Sequence, residues 1–456
     1  MIVMKFGGTS VESAVAIDRL VDIVESRLAR KPVVVVSAMG KTTNGLLAAA
    51  DSAVAGDRDA ALKRIAELET YTLTEGRLLI KPEATEATVR ALFQELRELM
   101  RGLAVLGELT PRSIDAVSAF GERISSLVVT EAFNRRSIPA AHVDSREVIV
   151  TDTRHSQAAP LYPQTYANVR EKVAPLVNEH VVVMGGFIAS TEAGVTSTLG
   201  RGGSDFSASI IGAGLGAEEI QIWTDVDGML TCDPRVLPGG HRVRTISFSE
   251  AAELAYFGAK VLHPSTVVPA IETNIPVMIL NSRKPQVEGT RIIADTPASS
   301  NPIKSIACKR GITVVNIKST RMLGAHGFLR RIFEVFDQAQ TPVDMVTTSE
   351  VSVSLTIDNT AALEAITGHL REFSDVAIEA DQALIALVGE NIASTPGVAR
   401  RAFASLNGVN VRMISQGASQ LNLSLVIAAR DLETAVGGLH AEFFAELDPQ
   451  IFERAS

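Results

Sequence analysis

The sequence predicts an α/β fold for the larger, N-terminal part of the chain, with a mainly parallel sheet covered by helices, and two small βαββαβ modules after it. Three observations carry this. Four apolar runs, Val33–Val36, Val181–Met184, Ile220–Trp223 and Val277–Leu280, are continuous enough for strands buried on both faces. Segments with helical spacing, such as Ala14–Leu28 and Ala87–Met100, alternate with those runs. Beyond a stretch rich in Thr, Pro, Ser and Asn at Ala294–Pro302, the chain repeats itself.

Taken in order, the chain opens on an apolar run that leads into KFGGTS, Lys5–Ser10. Paired glycines after a short strand let backbone N–H groups come close to an anion, and a nearby ammonium neutralises it; phosphate is the natural candidate. A second cluster of the same kind, TLGRGGSD, follows at Thr198–Asp205. After the linker, GFLRRIFEVFDQAQTPVDMV from Gly327 lies over GVARRAFASLNGVNVRMI from Gly397 with a two-residue gap, and VSVSLTI at Val351 over LNLSLVI at Leu421. Each copy reads strand, helix, strand, strand, with second helices at Thr360–Arg371 and Asp431–Phe443. That order suits a ferredoxin-like module. The expected boundaries are 1–293, a linker at 294–305, then 306–380 and 381–456.

Composition narrows the function classes. At 456 residues and roughly 150 per domain, about three domains are expected. A net charge of -9, with no long basic block, excludes a general nucleic-acid binder. Two unclustered cysteines, Cys232 and Cys308, suggest neither a disulfide framework nor a thiolate metal site, so no protein metal centre is expected and a reducing cytoplasm is the simplest compartment. The start MIVMK lacks the regions of a signal peptide, and no apolar stretch is long enough for a membrane span. Two motifs are discounted. Gly40, Lys41 and Thr42 look like the end of a P-loop, but Val35 stands where its first glycine belongs; Gly212, Gly214 and Gly216 miss the spacing of a dinucleotide fingerprint.

Five motifs in order then resemble the aspartate kinases of the amino-acid kinase superfamily: KFGGTS at Lys5, SAFGER at Ser118–Arg123, TLGRGGSD at Thr198, WTDVDGMLTCDPR at Trp223–Arg235 and FGAKVLHP at Phe257–Pro264. The C-terminal repeats resemble that family's tandem ACT regulatory domains, with no homoserine dehydrogenase domain after them. The resemblance implies a three-layer α/β/α kinase domain followed by two ACT domains. It also implies transfer of the γ-phosphoryl group of ATP to the side-chain carboxylate of L-aspartate, at the head of lysine, threonine and methionine synthesis, with Mg2+ arriving on the nucleotide.

Residue by residue, the resemblance makes Lys5 and Asp205 the catalytic pair. The ATP side comprises Lys5, Gly7, Gly8, Thr224, Asp225, Leu230, Arg235 and Lys260. The aspartate side has Arg201 for the α-carboxylate, Glu122 for the α-ammonium, and Ser37, Thr43 and Ser204 as hydroxyl donors. Guanidinium suits a bidentate grip on a carboxylate. The acceptor carboxylate, with a free pKa of about 3.9, is ionised at neutral pH and needs no general base. Positive charge along the transfer path is what the chemistry lacks.

The chain also departs from the family pattern, with Asp227 where proline is usual and Leu230 where tyrosine is usual. For regulation, Met322, Gly324, Ala325, Phe328, Leu329, Val343, Asp344, Thr348, Ser349 and Glu350 match the effector region, though Gly324 and Ala325 replace residues that are commonly polar in lysine-sensitive relatives. The implied effector is lysine or threonine, and the implied assembly a homodimer or tetramer through the ACT domains. Another amino-acid kinase with a glutamate-type substrate, or a catalytically silent amino-acid sensor, stays open at this stage. Glu122 with Arg201 speaks against the first, and the presence of Lys5, Arg201 and Asp205 against the second.

Overall fold

The computed structural model describes residues 1–77, 83–258, 264–319 and 326–454. Contacts divide the chain into two units, Met1–Met229 with Val261–Thr296, and Leu230–Lys260 with Pro297–Ser456. Residues 230–260, which the sequence analysis places in the first domain, therefore group with the second unit. Among the described residues, no helix is long and apolar enough to cross a membrane.

The first unit holds strands β1 (Ile2–Phe6), β2 (Pro32–Val36), β3 (Ala140–Val143), β4 (Val181–Gly185), β5 (Glu219–Thr224), β6 (Val277–Asn281) and β7 (Thr290–Ile293). They run side by side in the order β7-β6-β5-β1-β2-β4-β3. All pairings are parallel except β6 with β7. β1 sits between β2 and β5, so Lys5 lies opposite both Val35 and Ile222. Because successive side chains of a strand point to opposite faces, Met4 and Phe6 enter one core with Ile17, Leu20 and Val24 of helix α1 (Ala14–Glu25). Val3 and Lys5 face the other side, where Val3 lies against Gly212 of a second-layer helix. Fully burying a Phe6 or a Met4 contributes about 1.5–3 kcal/mol each.

Helix α1 starts at Ser13, whose hydroxyl caps the Ala16 N–H, and ends three residues short of the expected Leu28. α2 (Thr42–Val54) follows β2. α3 (Pro111–Ser118) is capped by Thr110 with Pro111 in its first turn, and runs almost directly into α4 (Phe120–Arg135). α5 (Gly203–Leu215) lies on the Val3 face and opens from Gly202, a glycine at φ 68°. Helices thus cover both faces of the sheet, the three-layer arrangement that continuous apolar strands require.

The second unit contains β8 (Ser305–Lys318), α6 (Phe328–Gln338), β9 (Met345–Thr348), β10 (Ser352–Ile357), α7 (Leu363–Arg371), β11 (Asp375–Val388), α8 (Val398–Ser405), β12 (Val411–Gln416), β13 (Asn422–Ala428) and α9 (Leu432–Phe443). The sheet order is β9-β10-β8-β11-β13-β12, antiparallel throughout. β8 and β11 are each 14 residues long and serve both repeats. Thr313–Lys318 pair with β10 in the first repeat, whereas Ser305–Arg310 pair with Ala383–Val388 of the second. The boundary drawn at 380/381 therefore falls inside one strand, and the second repeat completes its four strands with a segment that precedes the first. Phe328, Ile332 and Phe336, one stripe of α6, pack on Val315, Ile317, Val353 and Leu355. Asn422, the first residue of a glycosylation sequon, is buried in β13. Lys304 and Glu250, both buried, pair at 2.9 Å, and Glu250 also caps the helix Phe248–Tyr256 through Ser247.

Candidate active site

The carboxyl ends of β1, β2, β4, β5 and β6 lie along one edge of the sheet, where open α/β folds bind ligands. A cavity of about 250 Å3 opens there, lined by Lys5, Ser37, Thr43, Glu122, Ser204 and Asp205, with Phe187, Gly200, Gly202 and Gly203. Six residues that sequence reasoning picked from four distant motifs meet in this one space.

Lys5, the fourth residue of β1, projects toward α5 and meets Asp205 in the first turn of that helix, Nζ to Oδ1 at 2.8 Å. Both side chains are largely buried, at 11% and 15% exposure, so the pair is only weakly screened. Gly202, Gly203, Ser204 and Asp205 all come from the start of α5, where the helix dipole favours an anion. The paired glycines after β1 act differently from the expectation. The Gly7 N–H is donated to the Trp223 carbonyl at 3.1 Å, so it is committed to backbone and not to a phosphate. Gly8 is required by close approach, since a Cβ there would stand 3.1 Å from the carbonyl oxygens of both Ala38 and Gly40.

Glu122 enters from the first turn of α4. Its Oε1 accepts the Ala38 N–H at 3.1 Å, just past β2, while its Oε2 is buried with no hydrogen-bond partner. Burial lifts this carboxyl to about 8, against the Ala38 N–H and the charge of Lys5, which pull it down. α4 comes this close because residue 121 is glycine; a Cβ there would be 2.7 Å from that of Ala38. Ser125 ties the same turn to the Ser37 carbonyl at 2.8 Å.

Arg201 is exposed on the loop between Gly200 and Gly202 and does not line the cavity. At the end of β5, the Thr224 carbonyl accepts the Ser282 N–H at 2.8 Å and its hydroxyl at 3.1 Å, and Asp225 is exposed. Asp227, the departure from proline, is held by Asn281 and by Lys284 Nζ at 2.8 Å. Leu230 and Arg235 belong to the second unit. There the Leu230 carbonyl accepts the Ser305 hydroxyl, and Arg235 forks onto Asp233 at 3.0 and 2.6 Å. Lys260 lies outside the described residues, as do Met322, Gly324 and Ala325. Among the described residues no cluster of three or more His, Cys, Asp or Glu could hold a metal ion.

Of the remaining regulatory candidates, Phe328 is a core residue, edge-on to Phe373 at 5.7 Å, and Val343 packs against the same core. Leu329 is exposed. Asp344 and the Thr348–Glu350 group stand at opposite ends of β9, not in one cluster, because Met345–Thr348 forms the strand between them. Ser349 and Ser352 bond across the hairpin at 2.6 Å. Lys309 Nζ reaches Asp344 at 3.0 Å and Asp358 at 2.7 Å.

Sequence reasoning missed Phe187. It lines the cavity in a left-handed conformation, φ 66°, held by its N–H on Ser207 Oγ at 2.9 Å and its carbonyl on the Leu199 N–H at 3.0 Å. A bulky residue at positive φ marks a constrained site. The available signal was VVVMGGF, an apolar strand ending in paired glycines as β1 does.

The chain matches the amino acid kinase family over residues 1–281 and the ACT domain over residues 315–368 and 385–443. It is 38% identical to Aspartokinase 1, chloroplastic, of Arabidopsis thaliana, covering 98% of this chain and 80% of that protein. The crystal structure of Escherichia coli aspartokinase III in complex with aspartate and ADP (R-state) is similar at a TM-score of 0.84 and 35% identity, covering 97% of this chain and all of that one. The lysine and aspartate complex of the same enzyme (T-state) is similar at a TM-score of 0.84 and 34% identity, covering 97% and 99%.

Proposed function

This chain belongs to the aspartokinases of the amino acid kinase family, and from that premise we propose that its 250 Å3 cavity is where L-aspartate receives the γ-phosphoryl group of ATP. The observation that carries the assignment is Glu122. A buried carboxylate with one oxygen unpaired, lifted to about 8, is a group that lacks a cation. The α-ammonium of aspartate supplies it. Arg201 closes on the α-carboxylate from the glycine loop, with Ser37, Thr43 and Ser204 donating around the substrate.

The acceptor carboxylate arrives ionised, so the work left to the protein is to hold two anions together. Lys5 lies where negative charge moves between donor and acceptor, and Asp205 holds its ammonium in place at 2.8 Å. The start of α5 presents N–H groups to the same region. Gly8, Thr224 and Asp225 form the nucleotide side of the first unit, with Gly7 shaping the turn through its N–H on Trp223; Leu230, Arg235 and Lys260 are the nucleotide candidates of the following segment. Mg2+ fits this donor set as an ion carried by phosphate oxygens and water, with Asp205 as a carboxylate at the start of α5. Such a site needs no protein cage, and the ion would neutralise phosphate charge.

Residues 1–293 act as the catalytic domain in this reading, 294–305 as the linker, and 306–380 with 381–456 as the regulatory repeats that share β8 and β11. Lysine, or less readily threonine, binds the first repeat near Asp344 in a homodimer formed through these modules and draws the enzyme toward an inactive state. Cys232 and Cys308 are free, and the compartment we propose is the cytoplasm. The test is to trap the product as a hydroxamate with hydroxylamine, from ATP, Mg2+ and L-aspartate. Signal with aspartate and none with glutamate supports the assignment; equal signal from glutamate overturns the substrate.

A further inference from the structure

Asp115 is completely buried and lies outside the cavity, yet it joins two other segments of the chain. Its Oδ1 takes the Thr198 hydroxyl at 2.6 Å, both oxygens take the Ser156 N–H at 3.0 Å, and Oδ2 lies 2.7 Å from His155 Nδ1. Two features give this network a bearing on the site. Asp115 sits in α3, seven residues before Glu122. Thr198 ends the strand Thr196–Thr198, two residues before Gly200, where the cavity wall begins.

The loop from Leu199 to Gly203 contains glycines at φ 75° and 68° and closes one turn of its own, the Gly203 N–H donating to the Gly200 carbonyl at 3.0 Å. Its fixed points lie at Thr198. The Thr198 carbonyl accepts the Ala158 N–H, the Leu199 N–H goes to Phe187, and Gly200 is so close to Ser156 that a Cβ would stand 3.1 Å from that residue's carbonyl oxygen. We propose that Asp115 is a positioning residue for the phosphoryl transfer: through Thr198 and Ser156 it sets the glycine loop, and with it Arg201, Ser204 and Asp205, at a fixed distance from the helix that carries Glu122. A buried carboxylate bonded through both oxygens has few alternative arrangements, which makes it a rigid strut. The inference rests on the cavity being the aspartate site.

Thr198→Val removes one donor while keeping the shape of the side chain. Measured well below each variant's melting midpoint, it is expected to raise the KM and the directly titrated Kd for aspartate about tenfold, equivalent to about 1.4 kcal/mol. The KM for ATP stays within about twofold, and Thr198→Ser restores the wild-type values. Aspartate affinity unchanged in Thr198→Val, an equal rise in both substrates' KM, or failure of Thr198→Ser to restore would each overturn it. Glu122→Gln, run in parallel, separates the two claims. If that variant binds aspartate normally, the site assignment has failed; if it binds weakly while Thr198→Val binds normally, only the strut has failed.

Discussion

Glu122 in the first unit is buried and Asp344 in the second is partly buried; each is a carboxylate with one oxygen lacking a hydrogen-bond partner, but they are furnished differently. Glu122 has one backbone donor and no cation in contact, and burial lifts it to about 8. Asp344 is also raised by burial, yet Lys309 at 3.0 Å opposes the rise, while Asp358 adds like charge. The first carboxylate needs a cation from outside. The second already shares one, in a cluster where Lys309 reaches both Asp344 and Asp358. If the first is the proposed aspartate site and the second the proposed effector site, the two would recognise the same ammonium chemistry with different demands. On the proposed reading, the substrate site lacks a cation until aspartate brings one, whereas Asp344 already has Lys309 as its counter-ion.

The sharpest way to break this comparison is at Lys5. Lys5→Ala is expected to lower turnover by about 10³-fold, the scale for losing one preorganised charge at a transition state. It also leaves Asp205 buried without its cation, which costs about 3 kcal/mol of stability. The double variant Lys5→Met with Asp205→Asn should recover much of the stability and none of the turnover. Near-normal turnover in either variant removes Lys5 from the mechanism.

Glu122→Gln should weaken aspartate binding about 30-fold, the range for a hydrogen bond to a charged group. Its pH behaviour carries a definite sign. A carboxyl ordinarily near 4.5 and lifted to about 8 keeps its proton in the folded state across that window, so folding stability falls as pH rises from about 5 to 8. The glutamine variant lacks that slope, and melting curves at pH 5 and pH 8 should show it equal to the wild type at the first and more stable at the second. Aspartate, by supplying the missing charge, should release a proton on binding near pH 7, read by calorimetry in buffers of different ionisation heat. Absence of proton release would place the ammonium elsewhere.

Asp344→Ala should raise the half-inhibitory concentration of lysine or threonine by about 5–150-fold, the span of a typical allosteric coupling. A wild type indifferent to both amino acids would sink the effector assignment. The smallest effect is expected at Arg235, which is mostly exposed and paired with its neighbour Asp233. Arg235→Ala should shift stability by no more than about 0.5 kcal/mol and raise the KM for ATP only a fewfold. An ATP KM that does not move would take Arg235 off the nucleotide side.

Most of the parallel sheet was legible because strands buried on both faces must be apolar throughout, and β2 reads PVVVV. The cavity was legible as motifs, with Lys5, Ser37, Thr43, Glu122, Ser204 and Asp205 all arriving in one place. Phe187 and Asp115 escaped notice because an apolar residue at a strand end and an acid in an amphipathic helix look like ordinary packing and ordinary surface. Arg201 carries the right chemistry, but the structure leaves it outside the cavity wall.

By itself the sequence determined the alternation of strands and helices, the two repeats, and which chemical groups stand at the ends of which strands. These follow from local patterning and from spacing within short motifs. Only the tertiary structure decided that Glu122 is buried against Ala38, that Asp115 joins residues 155, 156 and 198, and that β8 completes the second repeat. It also spent the Gly7 N–H on Trp223 and gave Asp344 its lysine. Each of those facts depends on segments brought together from far along the chain, and on the loss of water around them. Burial sets the charge of a carboxylate and the cost of an unpaired polar atom, and neither quantity exists until the chain has closed over the group.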